Sequence, residues 1–100
     1  MKDGKSMSET ILQHEVLVAF TGGFVKAKLG MIVALKALED IPRDGYYNKH
    51  LSMLKESPGA KYKIIGISSI APKFLDLTLA GGCDLVSTRL PAIHVIYVAS

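Results

Sequence analysis

Residues 24–41 read FVKAKLGMIVALKALEDI, and the interpretation of this segment sets the order of elements in the whole chain. The segment follows Gly22 and Gly23, and its few charges leave apolar side chains on nearly every side of a helical projection. This pattern predicts a long helix that ends at about Asp40, before Pro42. A helix of this kind is expected to be central, or to be covered on a second side by a neighbour.

The segment before the glycine pair, residues 10–21, reads TILQHEVLVAFT. It is rich in β-branched and aromatic residues, and this composition predicts a strand. Apolar side chains would point to both faces of that strand, as is typical of a strand covered on both sides.

The segment after Pro42 contains residues 46–57, YYNKHLSMLKES, which predict a second helix with Asp44 as its N-cap. Three further strands are predicted at residues 61–70, 73–81 and 91–100. In the second of these the side chains predicted to point inward are Leu75, Leu77 and Leu79, and those predicted to point outward are Phe74, Asp76 and Thr78.

The resulting order, β-α-α-β-β-β, predicts an α+β fold with two helices packed on one face of a four-stranded, mainly antiparallel sheet. Residues 9–100 are expected to form a single domain, and residues 1–8 a flexible N-terminal tail. A chain of 100 residues that is 49% hydrophobic has more apolar surface than one small core absorbs. Together with Ile32 between Lys28 and Lys36 on the outer side of the first helix, this surplus predicts a homo-oligomer.

The composition also indicates the cellular compartment and the kind of partner to expect. A single cysteine, Cys83, fits a reducing cytoplasm. The sequence begins without a signal-peptide pattern, and its longest apolar-rich stretch is too short to span a bilayer, so we expect a soluble cytoplasmic protein that does not bind membranes. The net charge of +3 is compatible with RNA or another anionic partner.

His50 lies at the centre of the apolar arc of the second predicted helix. A buried imidazole needs hydrogen-bond partners, and a tyrosine hydroxyl or a backbone carbonyl would supply one. Alternatively, His50 contacts a metal or a small ligand. Since Met53 and Leu54 follow it at the next helical turn, a metal site would recruit His94, His14 or a carboxylate. On its own, His94 is typical of a strand residue at an interface or near an edge.

The sequence offers no positive case for catalysis, and we predict that the protein is not an enzyme. TGGFVKAK, residues 21–28, fits a tight strand-to-helix turn better than an anion-binding loop. Cys83 has no neighbouring base to activate it, and Asp84 would disfavour a thiolate.

The element order and three local motifs resemble the HutP family of RNA-binding antiterminators. The resemblance covers about residues 14–99. It rests on the glycine-containing turn before the first long helix, on GYYNKH at residues 45–50, and on FLDLTLAGGCDLVSTRLPAIHVIYVA at residues 74–99.

Membership of that family would imply a hexamer that binds a divalent metal and L-histidine, and then RNA. Its first metal-ligating histidine corresponds to His50, its second position is occupied by Leu54, and its third is roughly matched by His94. The resemblance thus implies that His50, Tyr46 and His94 contact a ligand and that His50 ligates the metal.

A second resemblance is to bacterial microcompartment shell domains, through KYKIIGISSIAPKFLDLTLAGGCDLVS at residues 61–87. We therefore expect a regulatory module that binds RNA or a small ligand. The alternative is a structural assembly subunit.

Overall fold

The computed structural model describes residues 15–70, 73–82 and 87–99. Within them one α-helix, α1, spans Tyr47–Glu56, and short 3₁₀ helices span Leu38–Asp40 and Ala92–His94. The strands are β1 Leu17–Phe20, β2 Gly23–Lys26, β3 Ile32–Leu35, β4 Lys61–Ser68, β5 Phe74–Leu79, β6 Thr88–Pro91 and β7 Val95–Ala99. The predicted tail at residues 1–8 and the residues His14, Cys83 and Asp84 lie outside this description.

The predicted α+β architecture of two helices on a four-stranded sheet is wrong. The described residues form one mixed seven-stranded sheet with a single α-helix. The predicted order β-α-α-β-β-β fails mainly at residues 24–41, which form β2, β3 and a 3₁₀ helix where a long helix was predicted. The homo-oligomer predicted partly from Ile32 thus loses that support, because Ile32 lies in β3.

The backbone around Gly30 shows why residues 24–41 are not helical. Gly30 has a φ of +87°, which lies in the left-handed region and is incompatible with a continuous right-handed helix. Its N–H donates to the carbonyl of Ile64 at 2.8 Å, and the Ile64 N–H donates to the carbonyl of Met31 at 2.9 Å. These bonds tie the segment to β4. The apolar residues that suggested a helix therefore occupy both faces of strands.

The strand order in the sheet is β2-β1-β7-β3-β4-β5-β6. Neighbouring strands are antiparallel except β1 and β7, which pair in parallel through Ala19 and Ile96. The last strand along the described chain thus lies between β1 and β3.

The core combines side chains from the sheet with one face of α1. Its fully buried members include Val18, Val33, Ile64, Leu75 and Val95. Buried Met53 of α1 belongs to the same cluster.

Several predicted elements are confirmed, with differences of detail. The helix predicted at 46–57 and the strands predicted at 61–70 and 73–81 are present as α1, β4 and β5. Leu75 and Leu77 are buried as predicted, whereas Leu79 is exposed and Thr78 is buried. The strand predicted at 91–100 is present only as β7, Val95–Ala99, because Ala92–His94 form a 3₁₀ helix. No helix in the described residues has the length and apolarity needed to cross a bilayer.

Candidate functional site

The first component of the site is His50, which α1 carries on its buried face. Its side chain is fully buried. Its Nε2–H donates to the backbone carbonyl of Lys36 at 2.8 Å. Because a carbonyl oxygen can only accept, this contact places a proton on Nε2.

His94 approaches the same point from the 3₁₀ helix Ala92–His94 and is also fully buried. Its Nε2–H donates to Oδ2 of Asp44 at 3.0 Å. The other oxygen of that carboxylate, Oδ1, accepts the backbone N–H of Tyr46 at 2.9 Å. The loop before α1 therefore holds Asp44 between the start of the helix and the buried imidazole.

The two histidines meet through their remaining ring nitrogens. Nδ1 of His50 lies 3.1 Å from Nδ1 of His94, and the ring planes cross at 64°. All four ring nitrogens therefore have a partner. The result is a chain of hydrogen bonds from the Lys36 carbonyl through both imidazoles to the Asp44 carboxylate.

The charges in this chain follow from its burial. Burial lowers the pKa of His50, and the nearby charge of His94 lowers it further. Burial by itself would raise the pKa of Asp44, but the hydrogen bond from His94 and the backbone N–H of Tyr46 outweigh it and lower that pKa. The ionised carboxylate and a neutral His50 are therefore favoured.

Asp44 also lines a cleft with a volume of about 540 Å³. Much of its wall is apolar, and Leu17, Phe24 and Ile93 remain 47%, 69% and 55% exposed there. The full lining is Glu15, Leu17, Ala19, Phe24, Lys36, Asp44, Gly45, Tyr46, Lys73, Phe74, Pro91, Ala92 and Ile93. The two histidines do not belong to this lining.

The cleft lies where the two ends of the strand order approach each other. Residues of β1 and β2 line it from one end, and residues of β5 and β6 line it from the other. The ammonium group of Lys73, just before β5, donates to the carbonyl of Glu15, just before β1, at 2.6 Å. Alternation along β1 turns Val18 to the core and Leu17 to the cleft, so both apolar faces of this strand are used.

The charges around the cleft are unequally compensated. The Glu15 carboxylate lies 3.6 Å from the ammonium of Lys26, and Asp44 accepts from His94. By contrast, the side chains of Lys36 and Lys73 form no salt bridge with any residue in the described ranges. Two lysines therefore line this apolar cleft without a carboxylate partner among the residues that the structure describes.

The structure brings two of the three predicted ligand-contacting residues, His50 and His94, into contact with each other. The third, Tyr46, lines the cleft, and its ring packs against that of Phe74 with centroids 5.1 Å apart. The interpretation of His50 as a buried residue bonded to a backbone carbonyl is confirmed. The interpretation of His94 as an interface or edge strand residue is wrong, because it is fully buried in a 3₁₀ helix.

The structure gives His50 hydrogen-bond partners and shows no metal-binding set around it. No group of three or more His, Cys, Asp or Glu side chains in the described part of the chain is placed to hold a metal ion. The predicted role of His50 as a metal ligand remains a prediction.

Sequence reasoning missed Lys36, Lys73 and the contact of Asp44 with a histidine. Asp44 was predicted to be the N-cap of the second helix, but the N-cap of α1 is Tyr46, and the Asp44 carboxylate reaches a histidine 50 residues away along the chain. Local spacing cannot reveal such a contact. The one available signal was that both His50 and His94 stand in apolar surroundings, where each needs a partner.

The comparisons with known proteins add no family to this geometry. No family model matches the chain, and no curated protein and no solved structure shows significant similarity to it.

Proposed function

We propose that the protein is a binding module for a small amphipathic anion, with an apolar body in the cleft and a carboxylate near Lys36 and Lys73. The observation that carries this proposal is the cleft itself. Its wall exposes large apolar side chains and includes two lysines that have no carboxylate partner among the described residues. Ligand sites are commonly concave and apolar with a few polar groups that fix orientation.

The apolar wall supplies affinity and the lysines supply selectivity. Covering Leu17, Phe24 and Ile93 removes apolar surface from water, which favours binding by about 25 cal/mol per Å². Opposite charges about 4 Å apart contribute roughly 1 kcal/mol in water, and more where the surroundings exclude solvent. An anion with an apolar body therefore fits this cleft better than a neutral compound of the same shape.

The same geometry supports binding without catalysis. Both imidazoles are fully buried, and their ring nitrogens are engaged with one another, with Lys36 and with Asp44. They are not positioned to take a proton from a ligand directly. The prediction that the protein is not an enzyme is retained on this ground.

The RNA-binding regulator predicted from the HutP resemblance remains a proposal of lower rank, as does the shell-like assembly subunit. The HutP resemblance rested partly on the element order β-α-α-β-β-β, and the observed order is different. RNA association would weaken steeply with added salt, since neutralising phosphates releases counterions. Binding of a small anion in an apolar cleft should depend on salt much less.

The test compares 2-naphthoate with its neutral analogue 2-naphthamide by titration calorimetry on the full chain. We expect the anion to bind more tightly, roughly three- to tenfold. Lys73→Gln should reduce that preference, whereas Lys28→Gln, at an exposed position outside the cleft, should leave it unchanged.

Nuclear magnetic resonance mapping on the same samples locates the ligand. Shifts confined to the cleft residues would support the proposal. Equal affinity for the two compounds, no binding of either, or shifts centred elsewhere would overturn it.

A further inference from the structure

A proton count of this hydrogen-bond chain shows that a complete set of bonds needs one more proton than two neutral histidines supply. Three hydrogen bonds join Lys36, His50, His94 and Asp44. Its two ends are a carbonyl oxygen and a carboxylate oxygen, which only accept. Two neutral imidazoles bring one proton each, whereas three hydrogen bonds need three protons. The complete chain therefore requires an additional proton.

The additional proton belongs to the histidine pair. Asp44 is held ionised, because the bonds it accepts lower its pKa. His94 is the imidazole beside that carboxylate, and His50 faces a neutral carbonyl. The proton thus lies between the two Nδ1 atoms, with its positive charge balanced by Asp44. Without it, two lone pairs would face each other across 3.1 Å.

We propose that this shared proton regulates the cleft, which binds an anion tightly while the proton is held and more weakly once it is lost. The inference rests on the proposed function of the cleft. Asp44 connects the two, because its carboxylate lines the cleft and also accepts from His94. When the histidine pair is positive, the charge of Asp44 is compensated. When the pair is neutral, that carboxylate repels an incoming anion.

The other groups around the pair do not supply the same switch. Charged or titratable side chains face the pair or the cleft from four elements: Glu15 before β1, Lys36 after β3, Asp44 and Tyr46 before α1, and Lys73 before β5. None of these residue types ordinarily changes its charge between about pH 5 and 8, whereas histidine does. A change of affinity in that range would therefore come from the histidine pair.

The first measurement is the affinity for 2-naphthoate at about pH 6 and about pH 8.5. We expect the affinity of the native protein to fall roughly three- to tenfold at the higher pH. Binding in the intermediate range should take up protons, so the observed heat should differ between buffers of different ionisation enthalpy.

The variant Asp44→Asn tests whether the shared proton causes this pH dependence, because it removes the carboxylate that stabilises the proton. The fall in affinity should move to lower pH in this variant. Asp40 is an exposed carboxylate in the 3₁₀ helix Leu38–Asp40, and Asp40→Asn should leave the pH at which the affinity falls unchanged.

A spectroscopic measurement on the native protein keeps the inference testable if the variant unfolds. Imidazole ¹⁵N spectra should show a proton shared between the two Nδ1 atoms at about pH 6, lost over the same range in which the affinity falls. Two unprotonated Nδ1 nitrogens at that pH would overturn the inference.

The two proposals fail in different ways. If 2-naphthoate binds without dependence on Lys73, the proposed function fails. If it binds through Lys73 with the same affinity at both pH values, the proposed function stands and the regulation is refuted.

Discussion

Two carboxylates of nearly equal exposure accept a hydrogen bond at the same distance, 3.0 Å, from basic side chains that lie in very different surroundings. Asp44 meets Nε2 of His94, whose side chain is fully buried, whereas Asp76 meets Nε of Arg89, whose side chain is 53% exposed. The first pair belongs to a chain of buried hydrogen bonds. The second crosses from β5 to β6 on the surface of the sheet.

Equal distances therefore do not mean equal contributions to stability. An exposed ion pair exchanges water for a partner at little net gain, and salt screens it. The imidazole of His94 is buried against that of His50, so its removal leaves a buried nitrogen that cannot find a replacement partner in water. Substitutions at the two sites separate these cases.

The largest effect is expected for His94→Ala. The change leaves Nδ1 of His50 without a partner and takes from Asp44 the imidazole that balances its charge. We expect the free energy of unfolding to fall by about 2–5 kcal/mol, the range for truncating a large buried side chain. Chemical denaturation followed by circular dichroism measures this.

His50→Ala is the matched comparison for that variant. His50 bonds to a neutral carbonyl rather than to a carboxylate, so a smaller loss of about 1–3 kcal/mol is expected. An equal or larger loss for His50→Ala would show that the ion pair with Asp44 is not what distinguishes the buried chain.

An intermediate effect is expected from acidification of the native protein. The pKa of His50 is lowered by burial, so the unfolded chain takes up a proton that the folded protein resists. Stability should therefore fall as the pH drops below about 6.5, the ordinary imidazole pKa. Thermal unfolding between about pH 7 and about pH 5 tests the sign.

The pH dependence of His50→Ala indicates whether this residue is responsible. That variant lacks the titrating group and should lose less stability on acidification than the native protein. Parallel curves for the two proteins would assign the acid sensitivity to other groups.

The smallest effect is expected for Asp76→Asn at the exposed pair. The Arg89 side chain can exchange the lost carboxylate for water, so the unfolding midpoint should stay close to that of the native protein. Any difference should shrink with added salt. A loss comparable to that of His94→Ala, or one that is insensitive to salt, would contradict the distinction between the two pairs.

Local patterns in the sequence predicted α1, β4 and β5, because each has a clear period and ends at a Gly or Pro signal. They failed at residues 24–41, where apolar residues fill both faces of two short strands and so mimic a helix that is apolar all round. The β-branched pair Ile32 and Val33, together with Gly30, was the available warning against a helix.

The candidate site was only half visible in the sequence, for a different reason. The apolar surroundings of His50 predicted a buried imidazole bonded to a tyrosine hydroxyl or a backbone carbonyl, and the structure shows the carbonyl. The contact of His50 with His94 depends on how β6, the 3₁₀ helix and β7 follow one another. The cleft forms because the two ends of the sheet approach each other. These are long-range properties that no local period encodes.

The place of β7 in the sheet has a consequence for the order in which the protein folds. β1 and β2 form a hairpin, and β3 to β6 pair in sequence, but among the described strands only β7 joins these two parts into one sheet. Its contacts with β1 span most of the chain, and pairings this distant are slow to form. During synthesis the hairpin and the β3–β6 sheet must each expose an unpaired edge until β7 arrives. The interval before β7 inserts is therefore when this protein is most prone to pair with another chain.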